Sequence, residues 1–338
     1  RMYVLQIPQG IDRTYSRQLW ISEVRRFIDF ISREAGVEIT NEMLRKAADR
    51  RNELRRARSE LMELQRLSPV PISGQKLYKF LEGLNYNFDL EDAIASTRAL
   101  TAEIRKAYEE AGNVKKEERR ILITGCPIGG VLEKVVGAVE RSGGAVVCYE
   151  NCSGIKAARC FVDTEREDMA EAIADAYLNI GCSVMSPNTR RMENLPELIR
   201  EFGAEGVIDV TLQTCTTYMI ETRAIRKLCE GLNIPYMSLE TDYSQRMRGK
   251  LTRAYRRSLR RYAENQSKLY GSIIFQHDLC PCYGGGVPEV RYAGKYYTGA
   301  ESDHRKLRLC LARFSGRPEE DRRFSQRKGP DFRPGIHT

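Results

Sequence analysis

Four cysteines carry most of the chemistry that this sequence offers. Cys126 in "LITGCPIGG", Cys152 in "YENCSGIK", Cys182 in "NIGCSVMSPN" and Cys215 in "LQTCTTYMIE" are flanked by Gly, Pro, Ser, Thr or Asn. Such flanks mark turns. A thiol in a turn beside a helix N-terminus meets free N–H groups, which favour a thiolate or the sulfide of a cluster. Core packing is the alternative, because free cysteines are among the most buried residues. That second reading suits Cys148, in mid-strand, and Cys229, on the apolar face of a helix, and Cys160 leans the same way.

What accompanies the thiols narrows the chemistry. The three histidines, His277, His304 and His337, all lie in the last quarter of the chain. The first 270 residues therefore lack the commonest general base and the commonest neutral metal ligand, and a Cys–His nucleophile pair in the main body is excluded. No C-x-x-C pair occurs, so zinc knuckles and dithiol redox motifs are missing. Nothing points to secretion, which disfavours disulfides. An iron–sulfur cluster held by scattered cysteines from several loops fits the spacing better. "HDLCPC" gathers His277, Cys280 and Cys282 close enough to bind metal, although a disordered terminus is the favoured reading there.

The elements that would position these thiols change character along the chain. Residues 1–115 read as a mainly helical region with a short leading strand, "MYVLQIP". Apolar residues recur at helical spacing over 13–34, a long helix follows Thr40 or Asn41, and two more helices fill 75–111. Residues 116–262 alternate short apolar strands ("RRILITG", "AVVCYE", "EGVIDVTLQ", "IPYMSLETD") with helices, including one that opens at "NLPELIREFGA" and a closing one over 249–265. That alternation predicts an α/β fold with a Rossmann-like parallel four-stranded sheet covered by helices on both faces. Residues 263–338 show no sustained period beyond one candidate strand, "KLYGSIIFQ", and read as an irregular tail. On this map Cys126, Cys152 and Cys215 each follow the carboxyl end of a strand, the rim where open α/β sheets bind ligands, and Cys182 lies in a loop between two helices.

With 338 residues, 41% of them hydrophobic, the chain can bury a substantial core. It contains no run of about 18 apolar residues that would span a membrane, nor an apolar signal segment before the first helix, and a cytoplasmic location is expected. The net charge of +9 rests mainly on helices where Arg alternates with Glu and Asp, which reads as a solvated face. Nucleic-acid binding would need interleaved aromatics and a recognisable module, and neither is visible.

Seven stretches in order, "YVLQIP", "PISG", "ILITGCPIGGVLEKV", "YENCSGIK", "IADAYLNIGCSVMSPNTRR", "EGVIDVTLQTCTTYMIET" and "IPYMSLETDYS", resemble the 2-hydroxyacyl-CoA dehydratase/benzoyl-CoA reductase family across residues 2 to about 262. "TGCP", "ENCSG" and "GCSVMSPN" bring the chain nearest to its double-cubane cluster branch. The resemblance implies two Rossmann-like domains with a helical region, usually dimeric, and a [4Fe–4S] cluster, or two cubanes joined by a sulfide, in the cleft between the domains. It implies an ATP-hydrolysing iron–sulfur activator as electron donor, and a small molecule or an acyl-CoA as substrate. By the family's motifs Cys215 matches the late cluster ligand, and Cys126, Cys152 and Cys182 match the branch's additional thiols. Glu150 and Lys156, flanking Cys152, are candidates for charge or proton transfer next to the cluster, with a surface ion pair as the alternative. The function expected is an iron–sulfur reductase component; the alternatives are a single-cubane dehydratase subunit or a non-catalytic partner subunit. The family carries a further α/β domain, with cluster cysteines of its own, ahead of "YVLQIP", and this chain is expected to lack it.

Overall fold

The computed structural model describes residues 2–11, 13–112 and 118–244, and the backbone of residues 273–275. The predicted closing helix over 249–265, most of the tail, and His277, Cys280 and Cys282 lie outside the described residues.

Four helices lead the chain. Helix α1 (Ser16–Ala35) ends where Gly36 turns left-handed at φ 65°. Helix α2 (Asn41–Glu63) starts where the Thr40 hydroxyl accepts the Met43 N–H, and α3 (Gly74–Gly83) is capped in the same way by Ser73. The Asp89 carboxylate accepts the N–H groups of Glu91 and Asp92 to open α4 (Leu90–Glu110). Each cap satisfies donors that the first helical turn leaves without partners.

The sheet is built from β1 (Arg119–Gly125), β2 (Gly144–Glu150), β3 (Gly206–Leu212), β4 (Tyr236–Thr241) and β5 (Ile273–Phe275). All neighbours are parallel, in the order β2-β1-β3-β4-β5. The intervening helices are α5 (Leu132–Glu140), α6 (Ile155–Ala158), α7 (Met169–Leu178), α8 (Thr189–Glu201) and α9 (Thr216–Gly231). Leu122, Ile123, Val146 and Val210 are fully buried in the central strands, as continuous apolar runs of a sheet covered on both faces require. Their core is continuous with Leu61, Leu77, Leu81 and Ile94 of the leading helices. Among the described residues no helix is long and apolar enough to cross a membrane.

The α/β class and four of the strands match the sequence reading, and three details differ. The sheet has five strands, because Ile273–Phe275, inside the candidate strand "KLYGSIIFQ", joins it by pairing with β4 from Met237 to Leu239. The leading strand does not form. Residues 2–7 pair with no strand among the described residues; they lie along α1, where Tyr3 packs against Phe27 and Phe30 and the Gln6 N–H donates to Glu23. Alternating apolar residues suit a helix surface here as well as a sheet. Helix α8 begins at Thr189, ahead of "NLPELI", and keeps Pro196 inside it. Buried Arg191, Leu195, Leu198 and Ile199 fall on one face of α8, so tertiary packing outweighs the local cost of the proline.

Candidate functional site at the sheet rim

Strand β1 is the switch point of the sheet. Its onward chain goes to β2 on one side, and the return lands β3 on the other. The loops after β1 and β3 therefore part, leaving a crevice outside their carboxyl ends. Gly125 ends β1 at φ 105°, and a Cβ there would lie 2.1 Å from the Val210 carbonyl oxygen, so only glycine lets the chain turn so close to β3.

That turn delivers Cys126 into the crevice. Its N–H donates to Val210 O at 2.8 Å, and its Sγ accepts the Leu212 N–H at 3.4 Å. Across the crevice Cys215 precedes α9, next to Thr214, which holds a left-handed φ of 70°. Cys126 and Cys215 thus close β1 and precede α9 on the two sides of the switch point. Burial pushes the Cys126 thiol up to about 12, only partly offset by the Leu212 N–H. Burial also acts to raise Cys215, but the Thr217 hydroxyl, the Tyr218 N–H and the Cys126 thiol outweigh it and hold Cys215 below the usual thiol range. The two thiols are thus shifted in opposite directions, and Cys215 lies at the positive end of α9, where a thiolate is favoured.

The other two predicted thiols stand apart from this pair. Cys152 is exposed on the Asn151–Gly154 turn, where Asn151 Oδ1 accepts the Gly154 N–H at 3.0 Å. Cys182 is half-buried in the loop between α7 and α8, which is tied down by Ser186 N–H to Gln9 O at 2.6 Å and by Ser183 Oγ to Thr217 Oγ1 at 3.3 Å. Both line a cavity of about 600 Å³ between α2 and the rim. Thr217 lies 3.7 Å from Cys215 Sγ, so the Cys182 loop and the crevice share a hydrogen-bonded neighbour.

Sulfur donors suit an iron–sulfur cluster, but a cubane has several corners to fill. Among the described residues no three of His, Cys, Asp or Glu form a metal-holding group. Cys126 and Cys215 as placed offer two corners, and Cys152 and Cys182 do not complete the set, so the described residues do not by themselves hold a cubane.

Directly beneath the rim lies a buried ionic network. The Glu150 carboxylate, at the end of β2, accepts the Thr124 hydroxyl and Arg191 Nε at 3.1 Å, and pairs with Lys156 Nζ at 2.9 Å. Arg191 is wholly buried; it also donates to Thr124 Oγ1 at 2.6 Å and to Glu221, and stands 3.9 Å from Asp209. The Tyr218 ring lies against both cations, 5.0 Å from the Arg191 guanidinium and 5.6 Å from Lys156 Nζ. Burial alone would raise the Glu150 pKa, but Lys156 and Arg191 outweigh it and hold the carboxyl below its ordinary range. For Asp209 burial prevails over the pull of Arg191 and Tyr236, and its pKa is raised.

The sequence candidates Glu150 and Lys156 are therefore a buried pair, and Lys156 also forms part of the cavity wall. Arg191, Asp209, Glu221 and Thr124 were not identified from the sequence. A lone acid in the middle of "GVIDVTL", and an arginine in register with Leu195 and Leu198, are the signals that mark two of them. Cys148 and Cys229 are buried as expected, with their thiols pushed up by desolvation.

Comparison with known proteins gives a consistent set. The family model described as "2-hydroxyglutaryl-CoA dehydratase, D-component" matches residues 1–255. YjiM of Escherichia coli (strain K12), whose name describes it as a dehydratase subunit, is 42% identical over 253 residues, which are 74% of this chain and 65% of that relative. The (R)-phenyllactyl-CoA dehydratase beta subunit of Clostridium sporogenes is 24% identical over 237 residues, 70% of this chain and 61% of that relative. The matched region thus spans less than two thirds of each relative's length.

Proposed function

This chain belongs to the 2-hydroxyglutaryl-CoA dehydratase D-component family, and on that premise we propose that it serves as a cytoplasmic subunit of a 2-hydroxyacyl-CoA dehydratase. The observation that carries the reading is the placement of Cys126 and Cys215 on the two sides of the switch point, inside the region that matches the family. In this reading Cys215 and Cys126 ligate an iron–sulfur cluster whose remaining ligands come from outside this pair. When bound, the cluster supplies a low-potential electron, delivered by an ATP-hydrolysing activator protein.

The chain's own residues then have definite work. The Glu150–Arg191–Asp209 network fixes the carboxyl ends of β1, β2 and β3 relative to one another, because each contributes one of its partners. Lys156 is held by Glu150 behind the cavity wall, where it keeps the Glu150 carboxylate compensated beneath the site. The test is turnover. The anaerobic protein, with its partner subunit and an activator, should convert a 2-hydroxyacyl-CoA to the unsaturated product, and a C215A variant should not. Equal turnover by C215A defeats the reading.

A second reading, a double-cubane reductase acting on a small molecule, is favoured by one observation: two further thiols, Cys152 and Cys182, line the adjoining cavity. Iron content separates the two. A C152S/C182S variant keeps its iron as a dehydratase subunit and loses much of it as a double-cubane protein.

A further inference from the structure

The 600 Å³ cavity is lined by Arg51, Arg55, Arg58 and Lys156, and by no aspartate or glutamate. Lys156 is neutralised by Glu150 behind the wall. The three arginines are not neutralised: among the described residues no carboxylate lies within ion-pair distance of any of them.

Their placement is deliberate in the sense that physics gives the word. Positions 51, 55 and 58 lie on one face of α2, which aligns three like charges at a mutual cost. Arg55 and Arg58 are each more than nine-tenths buried. Neither is oriented by an acid. Arg55 Nη1 donates to Asn52 Oδ1 at 2.9 Å, and Asn52 is itself locked to the Val162 backbone at 2.7 Å and 3.1 Å. Arg58 Nη2 donates to Asn85 Oδ1 at 3.1 Å, and Arg58 Nε is buried with no partner. Burial, followed by repulsion from Arg51 and Arg55, pushes the Arg58 pKa down to about 10. Neutral amides thus aim the guanidinium groups and leave their charge unspent. Buried charges are ordinarily paired, so the missing partner is an anion brought by a ligand.

The rest of the wall describes that ligand's body. Trp20, Leu54, Leu84, Phe88, Leu90 and Met185 supply an apolar lining, and Cys152 and Cys182 lie on the same wall. We infer that the cavity binds a small organic anion, with its carboxylate or phosphate on Arg51, Arg55 and Arg58 and its apolar body along the leucine and aromatic lining. The inference rests on the reading of this rim as the reaction site, and names the class of molecule presented there.

Isothermal titration of the full-length protein tests it with four probes at matched ionic strength: hexanoate, butyl phosphate, hexanol and inorganic phosphate. Saturable binding of hexanoate or butyl phosphate supports the inference, and which one binds identifies the head group. Hexanol binding as tightly as hexanoate, or inorganic phosphate as tightly as butyl phosphate, overturns it. Replacing a charged donor should weaken binding of the organic anion about tenfold or more, in R58Q and separately in the exposed-site variant R51Q. R50Q, which alters an arginine paired with Glu53 and Glu91, should bind like the parent. Unchanged affinity in both R51Q and R58Q overturns the inference. Iron content distinguishes the two levels. Anion binding by a protein that never takes up iron sinks the dehydratase reading alone, and an iron-loaded protein that binds no probe sinks the anion site alone.

Discussion

Arg191→Met removes the one cation that Glu150, Glu221 and Asp209 share while keeping a side chain of similar reach. The structure sets the size of the effect. Arg191 is fully buried and makes hydrogen bonds to Glu150, Thr124 and Glu221, with Asp209 at 3.9 Å. Glu150 keeps Lys156, Glu221 keeps Asn188 at 2.7 Å and Asp209 keeps Tyr236 at 2.9 Å, so each carboxylate is under-compensated and none is wholly orphaned. Removing one partner of a buried ionic group costs roughly 3–5 kcal/mol. At about 2–4 °C per kcal/mol for a domain of this size, Tm should fall by about 6–20 °C. The pH dependence gives a sharper signature. In the parent protein Glu150 has a lowered pKa, so it contributes stability above its unfolded pKa, and that contribution fades as pH falls through the folded value. Loss of the Arg191 cation in R191M should raise Glu150 and Asp209, both of which it holds down, and protonation relieves them as pH falls. Urea unfolding at pH 7 and pH 5 should therefore show a deficit that shrinks at pH 5. A Tm within about 2 °C of the parent, or a deficit equal at both pH values, would refute the account of this network.

Three other outcomes follow from single contacts. D89A removes the acceptor of two N–H groups at the start of α4 and should lower unfolding stability by about 1 kcal/mol in urea. G125A forces a Cβ toward Val210 O at an unfavourable φ and should cost roughly 1–3 kcal/mol or more, read from the same melts. Timed alkylation of the cluster-free protein, mapped by mass spectrometry, should modify exposed Cys152 first, with buried Cys148 and Cys229 reacting only on unfolding; early labelling of Cys148 contradicts the fold.

The sheet was legible in the sequence because "ILIT", "AVVC" and "VIDV" are short, β-branched, largely apolar runs that suit buried parallel strands, and turn residues mark where each ends. The sequence failed at "MYVLQIP" because period-two alternation says that one face is buried without saying against what, and α1 rather than a strand covers it. The start of α8 is hidden by Pro196, which resembles a first-turn residue, whereas the buried face that Arg191 and Leu195 share carries the helix through it. At the site, strand ends located Cys126 and Cys215 on one rim, since topology brings them there whatever lies between. Arg191 stayed hidden because a charged residue reads as solvent-exposed until its partners from β1, β2 and α9 are known. The arginine face of α2 was hidden in the same way. "RRNELRRARSEL" alternates charges as a solvated helix does, and only the fold shows which arginines lack acids.

Cys126 and Cys215 are proposed as the protein's cluster-facing thiols. Iron and acid-labile sulfide per chain, measured after anaerobic reconstitution of the parent, C215A and C126A proteins, tests this assignment most directly. The account predicts a brown parent protein with about four iron per cubane, and variants that lose that iron while keeping the parent's helical content. A colourless parent, or a C215A protein with the parent's full iron, would contradict it.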